Sequence, residues 1–282
     1  MNTHLNNLFL CMLLLVWSSG ILAADVPLVI LHTNDIHSQL DPFPLNDPQH
    51  SNKGGVLRCE AICRQVRSAE PNVLVFVSGD MVQGTSYFNY FKGEAEISLL
   101  NVIKPTAVTL GNHEFDNGVN SLATMLKPAK FPVICTNYKV AGTPLSGLVK
   151  PWLVVRCGPL RVGIVSANIN PERLIDADNF VGVVYKDPIK MAEKTALWLR
   201  ETKKCDVVVC LSHLGYEAKG NTPDDIKLAA RTRSIDVILG GHTHTFLKEP
   251  TVVKNLDGED VIINQCGKSG VYVGRLDLVV EK

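Results

Sequence analysis

Residues 28–37 read Leu28-Val29-Ile30-Leu31-His32-Thr33-Asn34-Asp35-Ile36-His37. Four consecutive apolar residues followed by polar ones predict a short strand buried on both faces. Two side chains able to ligate a metal, Asp35 and His37, follow at once. Ligands of α/β sheets collect beyond the carboxyl ends of strands, so this is the unit to look for elsewhere. It recurs four times. The apolar run 73–77 leads into Ser78-Gly79-Asp80, and 107–110 into Gly111-Asn112-His113-Glu114-Phe115-Asp116. The run 207–211 leads into Ser212-His213, and 237–239 into Gly240-Gly241-His242-Thr243-His244. Further strands are predicted at 133–135, 160–165, 261–264 and 274–280, and helices at 55–69, 94–102, 118–126, 187–202 and 224–231. Apolar strands alternating with amphipathic helices predict an α/β fold with sheets covered by helices. There is no internal repeat and no composition break. Residues 41–55, with three prolines, read as a surface loop.

Composition limits the partners. Of 282 residues, 46% are hydrophobic and 20% charged, enough to bury a large core. Lys+Arg and Asp+Glu are both 28, so no basic field is available for a nucleic-acid polymer. With only 6% aromatic residues, no base-stacking platform is evident either. Residues 1–24 carry the apolar run Leu8 to Trp17 and then small residues ending in Ala23-Ala24, the pattern of a secretory signal and too short for a membrane span. The expected mature chain is 25–282, periplasmic or secreted, with no membrane span after cleavage. Removing Cys11 leaves seven cysteines, so at least one thiol is unpaired within a chain. Cys59 and Cys63, four apart on a predicted helix, are poorly placed for a bridge. Most cysteines read as small core residues.

The five strand ends gather Asp35, His37, Asp80, Asn112, His213, His242 and His244. Imidazole, carboxylate and amide ligands without thiolate suit zinc, manganese or iron. Seven ligands exceed one tetrahedral ion but suit two if one carboxylate bridges, and two ions can clamp a phosphoryl group and activate water. Asp35 and His37 are two apart, as are His242 and His244; extended backbone would aim each pair to one side. The glycines before Asp80, Asn112 and His242 would permit tight turns. His113 and Asp116 remain: a carboxylate three residues on can orient the imidazole, which then stabilises a transition state or protonates a leaving oxygen. His32 reads as support for the first ligand pair, His50 as solvated, and Asp224-Asp225 as helix-capping charges. Tyr87-Phe88 and Tyr90-Phe91 read mainly as core packing. Gly267-Lys268-Ser269 imitates the end of a P-loop, but Ile262 occupies the first glycine position and a strand follows, so that reading is rejected.

In this order, the block around Asp35 and His37, Ser78-Gly79-Asp80, Gly111 to Asp116, Ser212-His213-Leu214-Gly215 and Gly240 to His244 resembles the 5′-nucleotidase family of calcineurin-like metallophosphoesterases. Gly54-Gly55 with Arg58 opens a helix as in that family. The resemblance runs from about Leu28 to the end of the chain. It implies a four-layer α-β-β-α sandwich of two mixed sheets. It also implies Asp35, His37 and His244 on one ion, Asn112, His213 and His242 on the other, Asp80 bridging, and His113–Asp116 as catalytic dyad. Family members continue into a second domain that binds the base and supplies phosphate-binding arginines. The resemblance identifies no such residue here, so a separate substrate-binding chain or loose phosphoester selectivity is expected. Nucleotide phosphomonoester hydrolysis leads. The alternatives are a cyclic-nucleotide phosphodiesterase or nucleotide-sugar pyrophosphatase, the catalytic subunit of a split nucleotidase, and a non-catalytic binding module, which the complete ligand set disfavours.

Overall fold

The computed structural model describes residues 25–281; the segment read as an export signal lies outside them. In chain order the first half contains β1 (Val26–Thr33), α1 (Val56–Ala69), β2 (Val73–Ser78), α2 (Ser86–Phe91), α3 (Glu94–Ile103), β3 (Ala107–Thr109), α4 (Gly118–Leu126) and β4 (Val133–Ile134). Next come β5 (Tyr138–Lys139), β6 (Val149–Lys150), β7 (Leu153–Cys157), β8 (Leu160–Asn168), β9 (Val184–Tyr185) and α5 (Pro188–Glu201). The chain closes with β10 (Val207–His213), α6 (Asp225–Ala230), β11 (Val237–Leu239), β12 (Thr251–Lys254), β13 (Asp260–Asn264) and β14 (Gly274–Val280).

Two six-stranded sheets result, ordered β14-β1-β2-β3-β4-β6 and β12-β13-β11-β10-β8-β7, with β5 and β9 as a small separate pair. Both are mixed: the inner neighbours are parallel, while β14, β7 and β12 are antiparallel to theirs. Side-chain alternation builds the layers. On β1, Leu28 and Ile30 enter the core between the sheets, while Val29 and Leu31 face the helix-covered side with residues of α1, α3 and α4. On β10, Val207, Val209 and Leu211 face the other sheet, and Val208 and Cys210 face α5 and α6. Each central strand is covered on both faces, hence the uninterrupted apolar runs. This is the four-layer α-β-β-α sandwich.

The strands absent from the sequence reading are short or at edges. β12 is half exposed along its length and β5, β6 and β9 have two residues each, so none carries a long apolar run. The seven cysteines of the described residues are all free and buried, including Cys59 and Cys63. The aromatic expectation holds in part: Phe88 is buried, whereas Tyr90 and Phe91 are exposed on α2.

Polar ties lock the sheets together near the functional ends. Ser78 Oγ donates to Leu239 O at 2.7 Å, and Asn168 Nδ2 donates to Leu110 O and to Thr109 Oγ1. These bonds bring the ends of β2 and β3 against those of β11 and β8.

Candidate metal centre

All seven predicted ligands meet where the ends of β1, β2 and β3 face those of β10 and β11. His37 Nε2 lies 2.9 Å from His244 Nε2, and His244 Nε2 lies 3.4 Å from Asp35 Oδ1. His213 Nε2 is 3.1 Å from Asp80 Oδ2, and His242 Nδ1 is 3.1 Å from Asn112 Oδ1. Three groups of ligand atoms are each compact enough for one ion: Asp35–His37–His244, Asp80–His213–His242, and His37–Asp80–His113. Asp80 belongs to two of them, as a bridging carboxylate would.

The hydrogen bonds fix which nitrogen is free. His213 Nδ1 is 2.8 Å from the Ser78 carbonyl and His37 Nδ1 is 3.1 Å from the Gln83 carbonyl. A carbonyl only accepts, so each Nδ1 carries a proton, and in the neutral ring each Nε2 presents a lone pair to the centre. His213 Nε2 is buried with no well-aligned hydrogen-bond partner. Lone pairs and carboxylates thus converge at close range, an arrangement that a cation satisfies and water alone does not. The residues present therefore fit two divalent ions.

The ligand pairs converge, but not through extended backbone. Asp35, His37, Asp80, His242 and His244 all have φ between 47° and 75°. Such left-handed residues cost about 1–3 kcal/mol each and persist only where the surroundings hold them. Here the backbone N–H groups of Asp35, His37 and Ser38 donate to the carbonyls of Gly79, Asp80 and Met81 at 3.0–3.1 Å. His242 N–H donates to both Asp35 carboxylate oxygens, at 3.0 and 3.1 Å. The glycine reading also needs correction. Gly79 has φ +77, but Gly111 and Gly241 do not need a positive φ. They are required for space: a Cβ on Gly111 would lie 2.1 Å from Asp80 Oδ1, and one on Gly241 2.8 Å from His213 Nδ1.

His113 Nδ1 is 2.9 Å from Asp116 Oδ2, which forms the predicted dyad. This hydrogen bond, against partial burial, raises the His113 pKa above its ordinary value. Burial opposes charge on His213, but the Asp80 carboxylate outweighs it and pushes the imidazole up to about 10. Burial likewise raises Asp80, and the His213 charge at 3.1 Å reverses that, holding the carboxyl well below the usual range. His242 is lowered to about 4, first by burial and then by the nearby His213 charge. A bound cation on Asp80 would favour neutral His213, the form that ligates.

Residues 28–246 match the calcineurin-like phosphoesterase family. The chain belongs to that family. Human 5′-nucleotidase is 35% identical over 272 residues, covering 89% of this phosphoesterase and 46% of the human protein. The structure of the 5′-nucleotidase precursor from Thermus thermophilus is similar with a TM-score of 0.79 at 33% identity, over 91% of this chain and 54% of that one. NAD nucleotidase from Haemophilus influenzae is similar with a TM-score of 0.80 at 28% identity, over 91% and 53%. The chain spans about half the length of these relatives. Homology thus makes it a phosphoester hydrolase by family, and the family's centre is binuclear.

Three side chains that support the phosphoesterase centre were not foreseen. Glu114 accepts from the backbone N–H of Asp80, Met81 and Gly111. Burial, then the Asp80 charge, lifts it to about 7. Removing it would strand three buried donors, at about 1–3 kcal/mol each. Asn34 Nδ2 donates to Asp35 Oδ2 at 2.6 Å and to Gly267 O at 2.7 Å. Asp225 is fully buried and accepts from Ser212 Oγ, beside His213; only Asp224 has the expected capping role. Asn34 and Glu114 sit within two residues of ligands, a signal available in the sequence. Asp225 offers none. His32, by contrast, supports no ligand pair: its ring is buried against Cys266 Sγ at 3.5 Å. His50 is not solvated but half-buried, its ring 5.2 Å from that of Phe43.

Proposed function

We propose that the chain is a metal-dependent phosphomonoesterase acting on nucleotides. The convergence of bare imidazole nitrogens on the Asp35 and Asp80 carboxylates is the observation that carries this reading. In it, Asp35, His37 and His244 hold one divalent ion, Asn112, His213 and His242 hold the second, and Asp80 binds both. Zinc, manganese or iron suits these donors. Two such ions, when bound, neutralise phosphoryl charge and lower the pKa of a water to near neutrality.

The rest is done by this chain's own side chains. Ser78 and Gln83 carbonyls hold His213 and His37 in the ligating tautomer. Asp116 occupies Nδ1 of His113, leaving Nε2 to meet the substrate in the cavity that His113 lines. A proton kept on that imidazole by Asp116 can stabilise a leaving oxygen or be given to it. The names of the relatives, 5′-nucleotidase and NAD nucleotidase, support a nucleotide as substrate. Export to the periplasm or the medium belongs to the same proposal. It is supported by the pattern of residues 1–24, and among the described residues no helix is long and apolar enough to cross a membrane.

Phosphate release from nucleoside monophosphates, a cyclic nucleotide, a nucleotide sugar and an aryl phosphate, with manganese or zinc, tests this. Chelator-sensitive preference for the monophosphates is expected. Weak cleavage of every ester would assign substrate selection to a separate chain or further segment, and no cleavage with any metal would defeat the proposal.

A further inference from the structure

A cavity of about 490 Å³ opens beside the outer side of the centre, within the roughly 300–1,000 Å³ range of small-molecule sites. It is lined by His37, His113 and His244, by Phe43 and His50, whose rings lie 5.2 Å apart, and by Lys268. Lys268 belongs to the Gly267-Lys268-Ser269 stretch that fails as a P-loop, and the fold gives that stretch a different place.

The turn is fixed from both sides. Ser269 N–H donates to Asp35 O at 2.7 Å, and Gly267 O accepts from Asn34 Nδ2 at 2.7 Å. Gly267, Ser269 and Gly270 all have positive φ, near 60–70°. The flanking residues are buried, while Lys268 itself is exposed. Among the described residues its ammonium makes no ion pair. Asp47, the carboxylate lining the same cavity, is already engaged: its Oδ1 accepts from the N–H of Gln49 at 2.9 Å and of His50 at 2.6 Å. A second cavity, of about 280 Å³ on the His242 side, is lined by Glu172 and has no Lys or Arg. Of these two cavities, only the first offers a cation to an anion.

We infer that Lys268 is a specificity residue that binds anionic phosphoryl oxygens of the substrate from the cavity side, with the Phe43–His50 pair facing the part of the ester that leaves. This rests on the phosphoesterase reading above. It supplies from this chain a cation that the family resemblance did not identify. A charge-assisted contact of an ammonium with a phosphoryl oxygen is strong because the acceptor is ionised, and it requires no bidentate geometry.

The test uses the purified, manganese-loaded chain and inorganic phosphate as probe, with affinity measured by calorimetry and turnover measured in parallel. Lys268→Gln is expected to weaken phosphate binding and raise KM roughly tenfold, with kcat and metal content near wild type. Lys268→Arg should restore most of the affinity. Phe43→Ala should raise KM for a nucleoside monophosphate without changing phosphate affinity. Phosphate binding by Lys268→Gln equal to wild type overturns the inference while leaving the proposed function intact. Equal loss in Lys268→Gln and Phe43→Ala would mean a distorted cavity and would also overturn it. If the loaded wild type neither hydrolyses any ester nor binds phosphate, the proposed function fails first and the inference with it.

Discussion

The two halves of the metal centre differ in depth. On the inner side, His213 and Asp80 have side-chain exposures of 0% and 2%, and the Ser78 carbonyl, the Glu114 carboxylate and the polar tie to Leu239 surround them. On the outer side, His37 and His244 are 13% and 35% exposed and open onto the Lys268 cavity. The inner His213 is the last residue of β10 and is held by the packing of two sheets, while Asp80 and His242 beside it share the left-handed conformation of the outer ligands. The outer ones depend on left-handed loop residues laced together by backbone hydrogen bonds. The inner half should therefore behave as a permanent structural anchor and the outer half as the exchangeable, substrate-facing side.

The largest effect should come from breaking what the halves share. Asp80→Ala is expected to abolish hydrolysis and to remove at least one ion, measured by elemental analysis of the purified variant; retained turnover with two ions would dismiss Asp80 as the bridge. Next is His113. One of its ring nitrogens lies within 4.8 Å of ligand atoms of His37 and Asp80, the spacing of a fourth outer ligand. His113→Ala is expected to lower kcat by about 10²–10⁴ with both ions retained, and Asp116→Asn to do so less. Loss of an ion in His113→Ala would make His113 a ligand.

His244→Ala sharpens the comparison of depth. Activity should fall roughly 10- to 100-fold and be partly restored by excess metal, because only the outer ion is weakened. His213→Ala should not be rescued so. Equal rescue of both would erase the distinction.

The smallest effect concerns stability. Burial lifts Asp225 from the ordinary 3.8 to about 7. The unfolded chain thus releases this proton at lower pH than the folded one. The stability contribution is full below about pH 4, declines as pH rises to about 7, and is flat above. Asp225→Asn keeps an acceptor for Ser212 and removes the ionisation. Its Tm in chelator should exceed wild type by about 2–4 °C at pH 8, with a smaller difference at pH 5. A difference independent of pH would mean that Asp225 does not titrate in this window.

The legibility of this protein divides along the same line. Central strands are covered on both faces, so their apolar runs announced β1, β2, β3, β10 and β11 and, with them, the strand ends where the candidate ligands sit. Edge strands such as β12 escape because one face is solvated and the sequence alternates only briefly. The seven candidate ligands and the proposed His113–Asp116 dyad could be picked out locally, from residue type and spacing. How they converge could not. Left-handed conformations at Asp35, His37 and His242, and the need for Gly111 and Gly241 to yield space rather than turn, arise only when the two sheets meet. The same holds for Asp225 bonded to Ser212 next to His213, for His32 turned away against Cys266, and for Lys268 brought from far along the chain into the cavity that His37 lines. Strand patterning and side-chain chemistry are properties of neighbours in sequence. Close approach, burial and shifted pKa values are properties of neighbours in space, and the packing of one sheet against the other determines them.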